Sequence, residues 1–227
     1  MPTAACDRAA TPPPGHLAIS QYGLEGNVLD TSGSNNDINH GVTFTTGILG
    51  AQAGAFDSAI TYVDLNNPSA TGSLKHALPV TISARVKLSG TSGVQRIVSG
   101  DNADNSTVIA GYDLCINSGV LACDYGDAAG SGPAHRRSKS GTTALTTGIW
   151  YYVATVIQGP TNIQLYVNGV DNGGAYSGTG GAMAYTTTTT KIDTSNTTNF
   201  FNGTLDEVSV YNRALSPAEI AQLPLGP

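Results

Sequence analysis

Acidic side chains are the first place to look for chemistry, and the 227-residue chain has few: 16 Asp and Glu, of which only Glu25, Glu207 and Glu219 are glutamates. The four histidines, His16, His40, His76 and His135, show no paired metal spacing, and neither a Gly-x-Ser-x-Gly elbow nor a Walker loop occurs. Gly126 to Gly132 is glycine-rich, but no helix follows to receive a phosphate, so it reads as a flexible loop. Nucleophilic and nucleotide chemistry are unsupported. Calcium fits the composition better, since it takes about six to eight oxygen ligands and the chain is rich in Asp and Asn. The run from Asp101 to Asn105 looks suited, yet Ala103 offers no side-chain oxygen where the EF-hand pattern needs one; it reads as a solvated loop.

Saccharide binding would need rings to stack on sugar CH faces and planar polar groups to pair with hydroxyls. Strand alternation offers four such residues. Arg85 falls opposite Ile82, Ala84 and Val86, Asp113 falls opposite Leu114, and Tyr151 and Tyr166 face outward from their strands. Arg85, Asp113, Tyr151 and Tyr166 are therefore the candidate glycan-binding set, lining one concave sheet. The competing reading is that they cover an apolar sheet face or meet another subunit. Cys115 and Cys123 flank Asn117-Ser118-Gly119, which fits either a cross-hairpin disulfide or two buried free thiols.

The elements that must position these residues are short strands. Only 11% of the chain is charged, against roughly 25% in soluble domains, while 40% is hydrophobic, enough for an ordinary core. Twenty-eight glycines and 11 prolines interrupt the chain too often for long helices. A formal charge of −6 with ten Lys and Arg leaves no basic stripe for phosphates, so nucleic acid is excluded as a partner. The longest apolar stretch, 149–157, is about half a membrane span, which excludes membrane insertion by a helix.

Alternating runs separated by Gly, Asn, Asp and Ser predict strands at 18–24, 42–45, 53–56, 61–65, 80–88, 95–99, 108–116, 120–125, 136–140, 150–157, 163–167, 186–192 and 205–211. Both faces of the Trp150 strand are apolar, which makes it central. Asn117-Ser118-Gly119 and Asn168-Gly169 supply hairpin turns. Ser216-Pro217-Ala218-Glu219 has the N-cap, first-turn proline and third-position glutamate of a short helix ending at Pro224. The threonine-rich segment 178–190 reads as a surface loop. Residues 1–16 hold Asp7, Arg8 and Pro12-Pro13-Pro14 where a signal peptide needs an unbroken apolar run; they read as an extended arm ahead of a folded domain at 17–227.

The segment 22–57, opening Tyr22-Gly23-Leu24-Glu25-Gly26-Asn27 and closing on Ala55-Phe56-Asp57, resembles the start of laminin-G-like jelly rolls in the concanavalin A-like lectin/glucanase superfamily. The end is more similar still, with Phe201, Gly203, Asp206-Glu207-Val208 and Tyr211-Asn212-Arg213-Ala214-Leu215-Ser216 before the helical turn. The resemblance spans about residues 17–223 and implies an all-β, two-sheet antiparallel jelly-roll sandwich with one short C-terminal helical turn. It departs from the family pattern at Arg85, where tryptophan is usual, and at Lys191-Ile192-Asp193, where a glycine-rich strand end is usual. Glucanases of this superfamily carry Glu-x-Asp-x-x-Glu on a strand face; that motif is missing, so the chain is expected to be no enzyme. Family members often hold a structural Ca2+ between first and last strands, which here implies Asp206 as ligand with Glu25 contributing. The alternative is that Asp206 accepts hydrogen bonds from amides of a neighbouring loop.

Together these readings predict a non-enzymatic jelly-roll protein of an assembly, foremost a phage virion cement, decoration or tail component with a glycan-binding, adhesive role. Its location would be the virion surface or extracellular, without a classical signal peptide. Other subunits would be its partners, docked through the residue 1–16 arm and its rigid Pro12, Pro13 and Pro14. The alternatives are a carbohydrate-binding lectin module of a bacterial surface or secreted protein, and a divergent glycan-active enzyme.

Overall fold

The computed structural model describes residues 18–32, 37–67, 69–101, 107–194 and 198–223. The arm with Pro12, Pro13 and Pro14 lies outside the described residues. The strands are β1 (Ser20–Tyr22), β2 (Ile38–His40), β3 (Thr43–Thr46), β4 (Gln52–Asp57), β5 (Tyr62–Asp64), β6 (Val80–Leu88), β7 (Val94–Ser99), β8 (Ala110–Asn117) and β9 (Val120–Asp127). They continue as β10 (Arg136–Ala144), β11 (Trp150–Gly159), β12 (Asn162–Val167), β13 (Val170–Asp171), β14 (Ala175–Ser177), β15 (Lys191–Ile192) and β16 (Asn202–Tyr211), followed by the helix α1 (Pro217–Gln222).

They form two eight-stranded antiparallel sheets. The first runs β13-β12-β11-β6-β16-β4-β3, with β1 also paired to β16, so the first and last strands are neighbours. The second runs β14-β10-β9-β8-β7-β15-β5-β2. The expected all-β, two-sheet sandwich is thus the observed one. Between the sheets, alternate residues such as Ile82, Ala84, Val86, Tyr112, Leu114, Leu121, Cys123, Leu165 and Val210 make one continuous core, as stacked pleated sheets require.

A second, smaller cluster lies on the outer side of the first sheet. Tyr152, Ala154, Val156, Tyr166 and Tyr211 pack there under Leu215 and Ile220. This is why both faces of β11 are apolar: one meets the core and the other meets α1. The helix is set by the expected capping box, with Ser216 Oγ accepting from Glu219 N and the Glu219 carboxylate accepting from Ser216 N. Both bonds satisfy amides that a first turn leaves without helical partners.

One predicted strand is cut short. The strand predicted at 186–192 shrinks to Lys191–Ile192, because the threonines before it bond to a buried ion pair instead of a neighbouring strand. Lys75 Nζ lies 3.4 Å from Asp101 Oδ2 and donates to the carbonyls of Thr186 (2.9 Å) and Thr188 (2.5 Å). Asp101 accepts from Thr186 N and Oγ1, both at 2.5 Å. Thr190 is fully buried, so the surface-loop reading fails there, and Asp101 is a buried anchor and not part of a solvated loop.

Candidate functional site

The outer face of the second sheet carries a polar groove built by strand register. A two-residue turn, Ser118 and Gly119 at φ 50° and 82°, joins β8 to β9 and fixes their pairing. Asp113 then lies directly opposite Asp124, and Cys115 opposite Ala122. Ser138 and Ser140 of β10 continue these rows, and Ser177 of β14 extends the first. A register shift in β7 follows Arg96, which pairs with Cys115.

Small side chains alternate with charged ones, and a hollow of about 200 Å³ opens between them, lined by Val94, Arg96, Cys115, Asn117, Ala122, Asp124, Arg136, Ser138, Ser140 and Ser177. A second hollow of about 440 Å³ shares Arg136, Ser138 and Ser177 with it and adds Ile109, Ser131, Gly132, Pro133 and Gly178. The lining holds no aromatic ring among the described residues.

Arg96 and Asp113 form an ion pair beneath this groove, with side chains 2% and 0% exposed. Removing two charges from water costs several kcal/mol per ion, and mutual attraction repays it only in good geometry. The pair therefore constrains the floor. Asp113 Oδ1 is buried without a hydrogen bond. Burial, reinforced by the Asp124 carboxylate, pushes the Cys115 thiol well above its ordinary range. Cys115 and Cys123 are both free. They face opposite sides of the sheet, since Leu114 and not Cys115 is the partner of Cys123, and a disulfide across the hairpin is ruled out.

Of the four residues expected to line one open sheet, only Asp113 lies on the second sheet, and it sits buried beneath the groove in its pair with Arg96, outside the lining itself. Arg85 is 7% exposed on the outer face of the first sheet, its guanidinium 5.7 Å from the Tyr152 ring centroid. Tyr166 is 2% exposed in the cluster under α1. Tyr151 packs against the main core, and its hydroxyl accepts from Thr146 N at 3.2 Å. The expectation of a shared concave face is therefore corrected: alternation separates two faces of a strand but does not say which one another element covers.

Arg96, Asp124, Arg136, Ser138 and Ser177 were not singled out from the sequence. One signal for Asp124 was present, since Asp113 and Asp124 are equidistant from the turn. A lone arginine within Val94-Gln95-Arg96-Ile97-Val98 was another.

Asp206 and Glu25 do converge, on the loop between β3 and β4. Glu207 at φ 50° forms a bulge in β16. Asp206 Oδ2 accepts from Ile48 N at 3.2 Å and Leu49 N at 3.4 Å, and Glu25 Oε2 from Ala51 N at 3.0 Å and Gln52 N at 2.9 Å. Gly50, at φ 68°, has no room for a side chain: a Cβ there would lie 1.9 Å from Glu25 Oε1. Burial pushes the Asp206 carboxyl up to about 7 despite these amides. Its Oδ1 is buried with no hydrogen bond, a donor atom that a hard cation would satisfy.

The sequence model of the concanavalin A-like lectin/glucanases superfamily that describes laminin-G-type domains matches residues 57–221, more than half of the chain. The chain belongs to this superfamily. No curated protein matches it. Among solved structures, the superfamily fold is shared with domain 4 of AbnA, a GH43 extracellular arabinanase from Geobacillus stearothermophilus, in complex with arabinotriose. That pair has a TM-score of 0.65 and 17% identity over 91% of this chain and 98% of that one. The botulinum neurotoxin serotype G binding domain aligns at TM-score 0.66 and 13% identity, over 92% of this chain and 50% of that one. The binding domain of Paraclostridial Mosquitocidal Protein 1 aligns at 0.66 and 17%, over 91% and 51%. The chain thus spans about half the length of the two toxin domains.

Proposed function

We propose that this domain is a non-catalytic carbohydrate-recognition module whose ligand lies in the groove on the second sheet. The observation that carries the reading is the convergence of Asp124, Arg136, Ser138 and Ser177 on adjoining hollows, since sugar hydroxyls require closely placed donors and acceptors. The arabinanase domain of similar fold, solved with arabinotriose, supports the ligand class. Turnover is disfavoured by the state of Asp113, the carboxylate directly across the strands from Asp124. Asp113 has no exposed surface and is held by Arg96, so it meets neither substrate nor water as an acid or nucleophile.

Isothermal titration with linear arabino-oligosaccharides, backed by a glycan array, tests the proposal. Asp124→Ala and Arg136→Ala should abolish retention while the fold is kept. Retention unchanged in both variants would reject the groove, and release of reducing ends would reject the non-catalytic reading.

A structural calcium at Asp206 and Glu25 is a second, separate proposal, supported by the unbonded Asp206 Oδ1. Calcium there would neutralise two carboxylates around one loop. A melting temperature identical in excess chelator and in millimolar calcium would dismiss it. Docking to other subunits, as in a virion, rests on residues 1–16 alone. Deletion of residues 2–14 should leave a folded domain that no longer incorporates into its particle, and normal incorporation would end that idea.

A further inference from the structure

We propose that Asp113, Cys115 and Asp124 form a binding site for a thiophilic divalent cation, of the zinc and cadmium class, at the floor of the groove. Each residue offers one ligand atom, and these atoms all lie within 4.8 Å of one another. The register that puts Asp113 opposite Asp124 also sets Cys115 two positions on, on the same face of β8. The site is more than a group of acids, because Asp113 Oδ1 is buried without a hydrogen bond, an unmet need that a cation removes.

The donor set decides the metal. One sulfur with two carboxylates favours a borderline or soft cation over calcium or magnesium, which take oxygen alone. Three protein ligands leave a fourth tetrahedral position, the arrangement of open zinc sites. Cys115 and Asp124 both line the 200 Å³ hollow, so that position faces the groove. Arg96 and Arg136 line it too and oppose a dication. Binding therefore depends on the sulfur bond: the Cys115 S–H proton leaves to solvent as the S–metal bond forms, both carboxylates stay ionised, and no electron is transferred. This site is distinct from the oxygen-only cradle at Asp206. It also stands independently of any sugar in the groove.

Cadmium titration of the full, reduced chain tests it through the ultraviolet thiolate-to-cadmium charge-transfer band, with zinc added as competitor. The band should saturate at one equivalent and be displaced by zinc. Cys115→Ser should abolish it, and Asp124→Asn should weaken apparent affinity by at least about tenfold. Cys123→Ser and Cys6→Ser should leave it intact, since Cys123 points into the core. A missing band, a band surviving in Cys115→Ser, or a band lost in Cys6→Ser would overturn the proposal. If Cys115→Ser does not fold, Asp124→Asn decides, because Asp124 is only half-buried; unchanged affinity there is equally fatal.

Discussion

The two outer faces of the sandwich have opposite fates. On the first sheet, Tyr152, Tyr166 and Tyr211 are roofed by α1, and Asp206 at the other end is closed over by the loop carrying Ile48 and Leu49. On the second, small and charged residues alternate and the face stays hollow. An aromatic ring offers large apolar area and is stabilised by being covered, whereas serine and alanine between fixed charges leave room that only a polar ligand fills well. Tyrosine on a strand is therefore a poor guide to a binding site when a terminal helix is available to cover it.

The sharpest test of the contrast is Asp113→Ala. It strands the Arg96 guanidinium in the second sheet, and loss of one partner from a buried pair costs about 3–5 kcal/mol. Urea denaturation should show that loss with an unchanged slope. A cost under about 1 kcal/mol, the range of exposed pairs, would mean that the groove floor is solvated.

Tyr166→Ala should come next, at about 3 kcal/mol, in the range measured when a buried aromatic is truncated. Glycan retention should be unaffected. If instead retention falls and stability holds, the covered face is the binding face and the comparison is reversed.

A smaller, pH-dependent effect should come from Asp206. Its folded-state carboxyl titrates at about 7, above the ordinary value of 3.8, so its contribution is fully present below about pH 4 and is lost as pH rises through 7. Asp37, raised to about 6 by burial, acts with the same sign. Comparing Asp206→Asn with the parent isolates one group: the variant's stability should fall less between pH 4 and 8 in chelator. Equal pH profiles would show that Asp206 is ionised and solvated.

The smallest stability change should come from Ser177→Ala in the open groove, within about 0.5 kcal/mol in a thermal melt, together with weakened sugar binding. A large stability loss would make the groove a packing surface like its counterpart.

Much of this was legible in the chain. The β6 boundaries at Val80 and Leu88 follow from alternation, and the α1 capping box follows from Ser216-Pro217-Ala218-Glu219, because both are contests among neighbouring residues. Glu25 and Asp206 could be brought to one loop through the family resemblance. The edge strands β2, β13 and β14 were missed, being too short to show a period.

By itself, then, the sequence determined the sandwich, its turns, its helix cap and the absence of a strand-borne glucanase motif, since each is written in spacings of a few residues. Only the tertiary structure decided which face is open. Alternation assigns Tyr166 to one side of a sheet, but whether that side meets water depends on where α1 docks, some fifty residues from Tyr166 along the chain. The groove and the ion pair beneath it likewise bring together Arg96, Asp113, Asp124 and Arg136 from four strands, and no local rule couples their registers across the whole sheet.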